Sequence, residues 1–343
     1  EPPVMVDEQI AQALSEMKLG AEDYLSLMNG LSSVAKEVQN SVVNVVGVTS
    51  DVSWLVNEYE NEGVVSGVVL ADNGRELLVL ANISTILDAE SLKVIFADEN
   101  EYEASIKRMD HNTGYAVLAI SKDTMKSGTL SMAKAVSLGT SGGSSLVGVS
   151  VIAIGRPMGT DGSMCYGMIT SVSGNVELPD SSYKYMTTDI YGSSSASGIL
   201  INLRGQVLGM IDMTYNAPDM KNIISAIGIS DLKKIMESLS NDKDIAYFGV
   251  YGVDVTGEAN EEMQVPYGAY ITEIDMDSPA MTAGIQSGDV IVMIDETEIT
   301  NYQDLVKTLF FYEPEDEVKI TFMRQGPDGY TEMETDAVLG IKK

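Results

Sequence analysis

A formal charge of −30 at pH 7, from 51 acidic and 21 basic residues among 343, argues against nucleic acid and anionic lipid surfaces as partners, because a field of that sign repels both. One cysteine, Cys165, excludes an internal disulfide framework and any multi-cysteine metal site, and no run of about 18 apolar residues is available to span a membrane. With 44% hydrophobic and 21% charged residues, the composition is that of a globular chain with length for roughly two or three domains and no sign of a cofactor. The first residue is Glu1 and not methionine, which implies that an upstream segment, a cleaved signal or a retained membrane anchor, once preceded it.

Between Asp7 and Gln39 apolar residues recur at helical spacing: Ile10, Leu14 and Met17, then Tyr24, Leu25, Met28, Leu31 and Val34. Gly20 and Gly30 interrupt the pattern, so two or three short helices are expected within a helical segment over 1–40. From Ser41 to about Ser225 the pattern changes to short β-type runs at 41–48, 66–70, 76–81, 91–96, 115–120, 149–155, 198–203 and 206–212. Asn73-Gly74 between two of them is a hairpin turn signal. Many short strands with few helices point to a sandwich or a barrel. Residues 230–240 then form an amphipathic pattern with Leu232, Ile235, Met236 and Leu239 on one face and Ser230 as the expected N-cap, inside a linking segment over 229–243. A smaller mixed unit fills 244–343.

Five stretches carry a family resemblance. SSVAKEVQNSVVNVVG (32–47) and VSVIAIGRPMG (149–159) are similar to the opening of the first barrel and to the VIAIGNPFG stretch of HtrA-type serine proteases. GILINLRGQVLGM (198–210) resembles the strand pair after their nucleophile, and AYFGVYGVDV (246–255) with SPAMTAGIQSGDVIVMID (278–295) resembles their PDZ domain. Several motifs agree in order across residues 31–340, whereas each alone would be weak. The resemblance implies a mainly β chain: a trypsin-like double six-stranded β-barrel over 41–228, the linking helix, and an α+β PDZ domain. It further implies a bacterial, extracytoplasmic protein. Family trimers assemble through an N-terminal segment that residues 1–30 do not match, so a homo-oligomer and a membrane anchor upstream of residue 1 both stay open.

The resemblance fails at the catalytic positions. The family's TNNHVV segment corresponds to LANISTI (80–86), placing Ser84 at the histidine; DHNTGYAVL (110–118) places Gly114 at the aspartate; SSASGIL (194–200) places Ala196 at the serine. A one-residue slip would offer Ser195 instead, with His111, the only histidine of the chain, as its base. A serine hydroxyl is inert near neutral pH without a base, and non-glycine Ser194 and Ser197 flank the position where backbone amides should converge on an oxyanion. No intact catalytic residue is therefore expected, and the chain reads as a pseudoprotease. An active serine endopeptidase using Ser195 and His111, and a chaperone-like binder of unfolded chains, are the alternatives.

Other sites are weaker. Cys165 has no nearby base and reads as a packed apolar residue, and the acidic clusters 275–277 and 313–317 lack calcium-loop spacing. What survives is the peptide site implied for the PDZ domain. Tyr247, Phe248, Gly249 and Val250 would form a carboxylate loop and the first residue of the binding strand, and helix 301–312, capped by Asn301, would close an open groove with Leu305 and Leu309. Residues 244–343 hold 21 acids and 5 bases. The expected partners are therefore protein or peptide C-termini with an apolar last residue and neutral or basic residues upstream.

Overall fold

A computed structural model describes residues 20–48 and 63–342. The first barrel comprises β1 (Val42–Val48), β2 (Val64–Asp72), β3 (Glu76–Asn82), β4 (Ser91–Ile95), β5 (Glu101–Met109) and β6 (Tyr115–Ser121), closed in the order β1-β2-β3-β6-β5-β4. Every pairing is antiparallel. The near-continuous apolar runs of β3 and β6 have a direct cause: both faces are buried. Leu77, Val79, Ala81, Ala116, Leu118 and Ile120 fill the barrel interior, while Leu78, Leu80, Tyr115, Val117 and Ala119 face outward into a second core. A strand covered on both sides has no polar face to alternate with.

The second barrel contains β7 (Ser137–Leu138), β8 (Ser150–Gly155), β9 (Ser163–Leu178), β10 (Ser181–Tyr191), β11 (Gly198–Asn202), β12 (Gln206–Ile211) and β13 (Ile223–Gly228). Six of these run β11-β8-β9-β10-β13-β12, a β11–β12 pairing closes the ring, and β7 adds to β12 in parallel. Ile152, Ile154, Ile199 and Ile201 meet the outer faces of β3 and β6, so the two barrels share a core.

Two helices seal that core. Helix α1 (Ala21–Gln39) is continuous through Gly30, contrary to the expected interruption. Gly30 has open space around it, and the helix is held by buried Ala35 with Val34 and Val38 against the shared core. Packing on that side outweighs a glycine penalty of about 1 kcal/mol. Residues 1–19, including the expected Ile10, Leu14 and Met17 face, lie outside the described residues. The short helix α2 (Ser127–Met132) follows β6, and α3 (Ile229–Ser240) buries Leu232, Ile235, Met236 and Leu239 as its periodicity predicts. Ser230 is not the N-cap of α3; Gly228 is, because Ser230 exchanges hydrogen bonds with Ser141, each backbone N–H donating to the other's hydroxyl at 2.8 Å.

The C-terminal unit has the sheet β15 (Val250–Asp254), β16 (Ala269–Ile274), β17 (Val290–Ile294), β19 (Glu317–Gly326) and β20 (Gly329–Val338) in that order. The short β18 (Thr297–Glu298) pairs with β17, and β14 (Ala246–Tyr247) pairs with β21 (Gly340–Ile341). Helices α4 (Gly257–Met263), α5 (Pro279–Thr282) and α6 (Tyr302–Leu309) complete it. Asn301 caps α6, its Oδ1 accepting from Asp304 N at 2.9 Å. This unit has its own core around Phe248, Ile271, Ile291, Leu305 and Phe322.

Two glycines test the backbone argument. Gly74 stands in the β2–β3 turn at φ +92 and Gly30 stands in a helix interior with no neighbour within 4 Å. Gly30→Ala should raise stability by roughly 0.5–1 kcal/mol and Gly74→Ala should lower it by about as much or more. Urea denaturation midpoints of the two variants should move in opposite directions.

Candidate functional site

Two of the three positions that the resemblance assigns to the triad, Ser84 and Gly114, meet beside the contact of Asn82 with Asp212 between the barrels. Ser84 opens a 3-10 turn directly after β3, and Gly114 sits at φ +74 in the turn before β6. The two are packed so closely that a Cβ on Gly114 would lie 1.8 Å from Ser84 Oγ. No charge lies between them. Ser84 N and Oγ instead donate to Asn82 Oδ1 at 3.1 and 2.7 Å. Asn82 Nδ2 donates to Thr113 O at 3.1 Å and, across the cleft, to Asp212 Oδ2 at 3.2 Å. Asp212 follows β12, is itself buried, and also accepts from Thr214 N at 2.9 Å. A carboxylate thus reaches this point from the other barrel and holds an asparagine rather than an imidazole.

Ala196 is buried in the interior of the second barrel. Its backbone N–H, the group that would face an oxyanion, donates to Ser193 O at 3.1 Å. Ser195 is exposed; its hydroxyl pairs with that of Ser193 at 2.9 Å. Ser197 Oγ accepts from Ser66 N at 2.9 Å and ties this loop to β2. His111 lies on an exposed turn and shares a recess with Lys107, Leu239, Lys243, Ile245 and Ile341, none of them from the 193–197 loop. Ser195 and His111, which the shifted arrangement needs side by side, therefore have separate neighbourhoods. Cys165 is half-buried in β9, and burial pushes its thiol up, away from the reactive thiolate. Among the described residues no group of three or more His, Cys, Asp or Glu side chains could hold a metal ion.

The carboxylate loop shows a different state from the open groove expected. Phe248 N, Gly249 N and Val250 N converge on one carboxylate, that of Asp180, at 2.7, 2.8 and 3.1 Å. Asp180 belongs to the tight β9–β10 turn of the second barrel and is buried, with its backbone at φ 52 after Pro179. Its own N–H donates to Val250 O at 2.8 Å. The groove is closed because this turn fills it. Gln303 Nε2 of α6 donates to Ser182 O at 3.1 Å, and buried Lys342 donates from Nζ to Ser181 Oγ at 2.6 Å. Burial pushes the Asp180 carboxyl above the usual carboxylate range, and the Lys342 charge and the three amides pull it back.

The other residues expected to line the groove are packed. Phe248, Val250, Leu305 and Leu309 are all buried in the core of the unit, and Tyr302 Oη donates to Val250 O at 2.9 Å. Tyr247 donates from Oη to Asp275 Oδ2 at 2.5 Å. Gly249 is needed for its backbone at φ +87 and for close packing: a Cβ there would lie 2.4 Å from Ser278 Cβ. Asn82, Asp180, Asp212 and Lys342 were missed by the sequence reading. Only Pro179-Asp180 left a signal, a turn dipeptide between two strands.

Comparison with known proteins fits this layout. The profile of the trypsin-like peptidase domain matches residues 65–210, and that of the PDZ domain matches 248–335. The chain is 27% identical over 333 residues to "Serine protease Do-like HtrA" of Lactococcus lactis subsp. cremoris, covering 86% of this chain and 80% of the relative. It is 26% identical over 274 residues to a "Probable periplasmic serine endoprotease DegP-like" of Halomonas elongata, covering 78% and 55%. Among solved structures, "HtrA-type protease AlgW with decapeptide" superposes at TM-score 0.63 with 22% identity, over 91% of this chain and 98% of that one. The chain is a homologue of the HtrA-type serine proteases, a trypsin-like domain with a C-terminal PDZ domain.

Two variants probe the geometry. Gly249→Ala should cost more than ~1 kcal/mol, since alanine is strained at positive φ. Asp212→Ala should cost about 1–3 kcal/mol by stranding Asn82, and a double-mutant cycle with Asn82→Ala should give a coupling well above zero in urea denaturation.

Proposed function

We propose that the chain is a proteolytically inactive HtrA homologue that binds C-terminal carboxylates through its PDZ domain in the bacterial cell envelope. The observation that carries this reading is the convergence of Phe248, Gly249 and Val250 amides on a single carboxylate, which supports a role for these donors in holding one. The peptides named with the similar solved structures, a decapeptide and a tripeptide, support recognition of an extended chain. The envelope location rests on the relatives named as periplasmic.

Loss of proteolysis follows from the cleft. A nucleophilic serine needs a base within hydrogen-bond reach and an amide free to meet the oxyanion. Here Ser84 faces Gly114, Ala196 has no hydroxyl, and the Ala196 amide is already bonded to Ser193 O. Among the described residues the Ser195 hydroxyl meets that of Ser193, and a neutral hydroxyl is far too weak a base to take its proton.

Peptide binding and proteolysis are tested separately. A fluorophosphonate probe should leave the full chain unlabelled, and casein should stay intact at neutral pH. The triple variant Ser84→His, Gly114→Asp, Ala196→Ser should also stay inactive, because Ser194 and Ser197 remain and the amide at 196 is engaged. Cleavage that survives His111→Ala but disappears in Ser195→Ala would overturn the inactive reading. For binding, a fluorescein-labelled decapeptide pool with a free carboxylate, an apolar last residue and lysines upstream should bind with Kd in the micromolar range or weaker, about −8 kcal/mol at most. The same pool amidated should not bind. Equal affinity for both would rule out carboxylate recognition, and binding of internal segments alone would favour a chaperone-like use of the cleft.

A further inference from the structure

We propose that Asp180 is a built-in competitor for the PDZ site: the β9–β10 turn occupies the carboxylate loop in cis, and a partner's C-terminus binds by displacing it. This rests on the reading of the PDZ domain as a carboxylate binder and adds its regulation. The contact reproduces the elements of terminal-carboxylate capture. The Asp180 side chain takes all three loop amides, and its own N–H donates to Val250 O, as the last residue of an added strand would.

Three features separate this turn from an ordinary domain contact. First, Asp180 adopts a left-handed backbone in a two-residue turn after proline, where glycine or asparagine is the easy choice. Aspartate there accepts strain that its carboxylate must offset elsewhere. Second, the carboxylate is buried with no ion pair in direct contact; Lys342, the nearest compensating charge, donates to Ser181 Oγ instead. A buried anion held chiefly by amides is replaceable by any carboxylate that makes the same bonds and also brings an apolar side chain. Third, the attachments flanking Asp180 are polar: Gln303 to Ser182 O, Lys342 to Ser181 Oγ, and the Tyr302 hydroxyl beside the Ser181 backbone. Release of the turn would return Asp180, Ser181 and Ser182 to water without opening either barrel core.

Displacement would also reach the cleft. β10 runs from the turn to Tyr185, whose hydroxyl donates to Asp212 O at 2.9 Å, and Asp212 holds Asn82 beside Ser84. One strand therefore joins the occupied carboxylate loop to the inter-barrel cluster.

The test uses the full chain, the free-acid decapeptide pool described above and fluorescence anisotropy. Asp180→Asn and Asp180→Ala should tighten binding by on the order of tenfold or more, because the fraction of molecules with an empty site rises. Gln303→Ala, which loosens the turn without touching the loop amides, should tighten it less, and it keeps the test intact if the Asp180 variants fail to fold. In the wild-type chain, hydrogen exchange should show residues 178–184 losing protection at saturating peptide while 248–250 stay protected. Unchanged affinity in all three variants, or a turn that stays protected in the peptide-bound chain, would make the contact a permanent clamp and overturn the proposal. If no form of the chain binds the free-acid pool, carboxylate recognition itself fails and the proposal falls with it.

Discussion

A carboxylate removed from water must be met by donors, and Asp180 meets three backbone amides from the other domain. That requirement fixes the relation between the barrels and the C-terminal unit. Satisfying the Asp180 side chain sets Phe248 to Val250 against the β9–β10 turn, which in turn brings α6 alongside β10 through Gln303 and places Lys342 over Ser181. Arg108 adds ion pairs from the first barrel to Asp242 at 2.6 Å at the end of the linking segment and to Asp244 at 3.0 Å at the start of the C-terminal unit. Those surface pairs are worth little individually, of order 0–1 kcal/mol each. The buried hydrogen bonds carry the greater part of the specificity, because stranding any of them leaves a desolvated polar group.

The inter-barrel cleft follows a different logic. Its fold is kept because β3, β6, β8, β11 and α3 share one apolar core, and that core places no demand on the chemistry of residues 84, 114 and 196. Once the imidazole and its carboxylate are absent, the local polar groups still need partners. They find them in one another: Ser84 with Asn82, Asn82 with Asp212, Ser193 with Ser195 and Ser197 with Ser66. The result is a set of hydrogen bonds that ties the barrels together at Asn82–Asp212 and Ser66–Ser197.

How much of this was legible in the sequence depended on what each residue packs against. β3 and β6 were readable because both faces are apolar, and α3 and α6 because a single buried face repeats at helical spacing. β5, β9 and β10 were not. β5 alternates buried and exposed positions irregularly among charged residues, and β9 is rich in serine and glycine. Gly30 and Ser230 misled for a related reason: local preference was overridden by tertiary contacts that no short window contains, those of Val34, Ala35 and Val38 with the shared core and of Ser230 with Ser141. The carboxylate loop was legible at 247–250, but its occupant lies 68 to 70 positions earlier in the chain. A groove can be read from its lining; what fills it depends on tertiary topology.

The balance between cis and trans ligands has a bound set by physics. A ligand tethered within the same chain acts at an effective concentration on the order of millimolar, while a single-strand C-terminal peptide binds with micromolar affinity at best. A cis ligand as good as the trans one would therefore hold the site nearly always. Asp180 is a poorer ligand in two respects: it offers no apolar terminal side chain to the Leu305–Leu309 side of the groove, and it holds a left-handed backbone that costs roughly 1 kcal/mol. Its buried charge, pushed toward protonation by desolvation, weakens it further. On the proposed competition, these penalties would move a tethered ligand from permanent occupancy toward the range in which a terminal peptide competes. They also explain why an aspartate, and not an asparagine that would tolerate the turn more easily, suits the position: only the carboxylate makes charge-assisted bonds to all three amides.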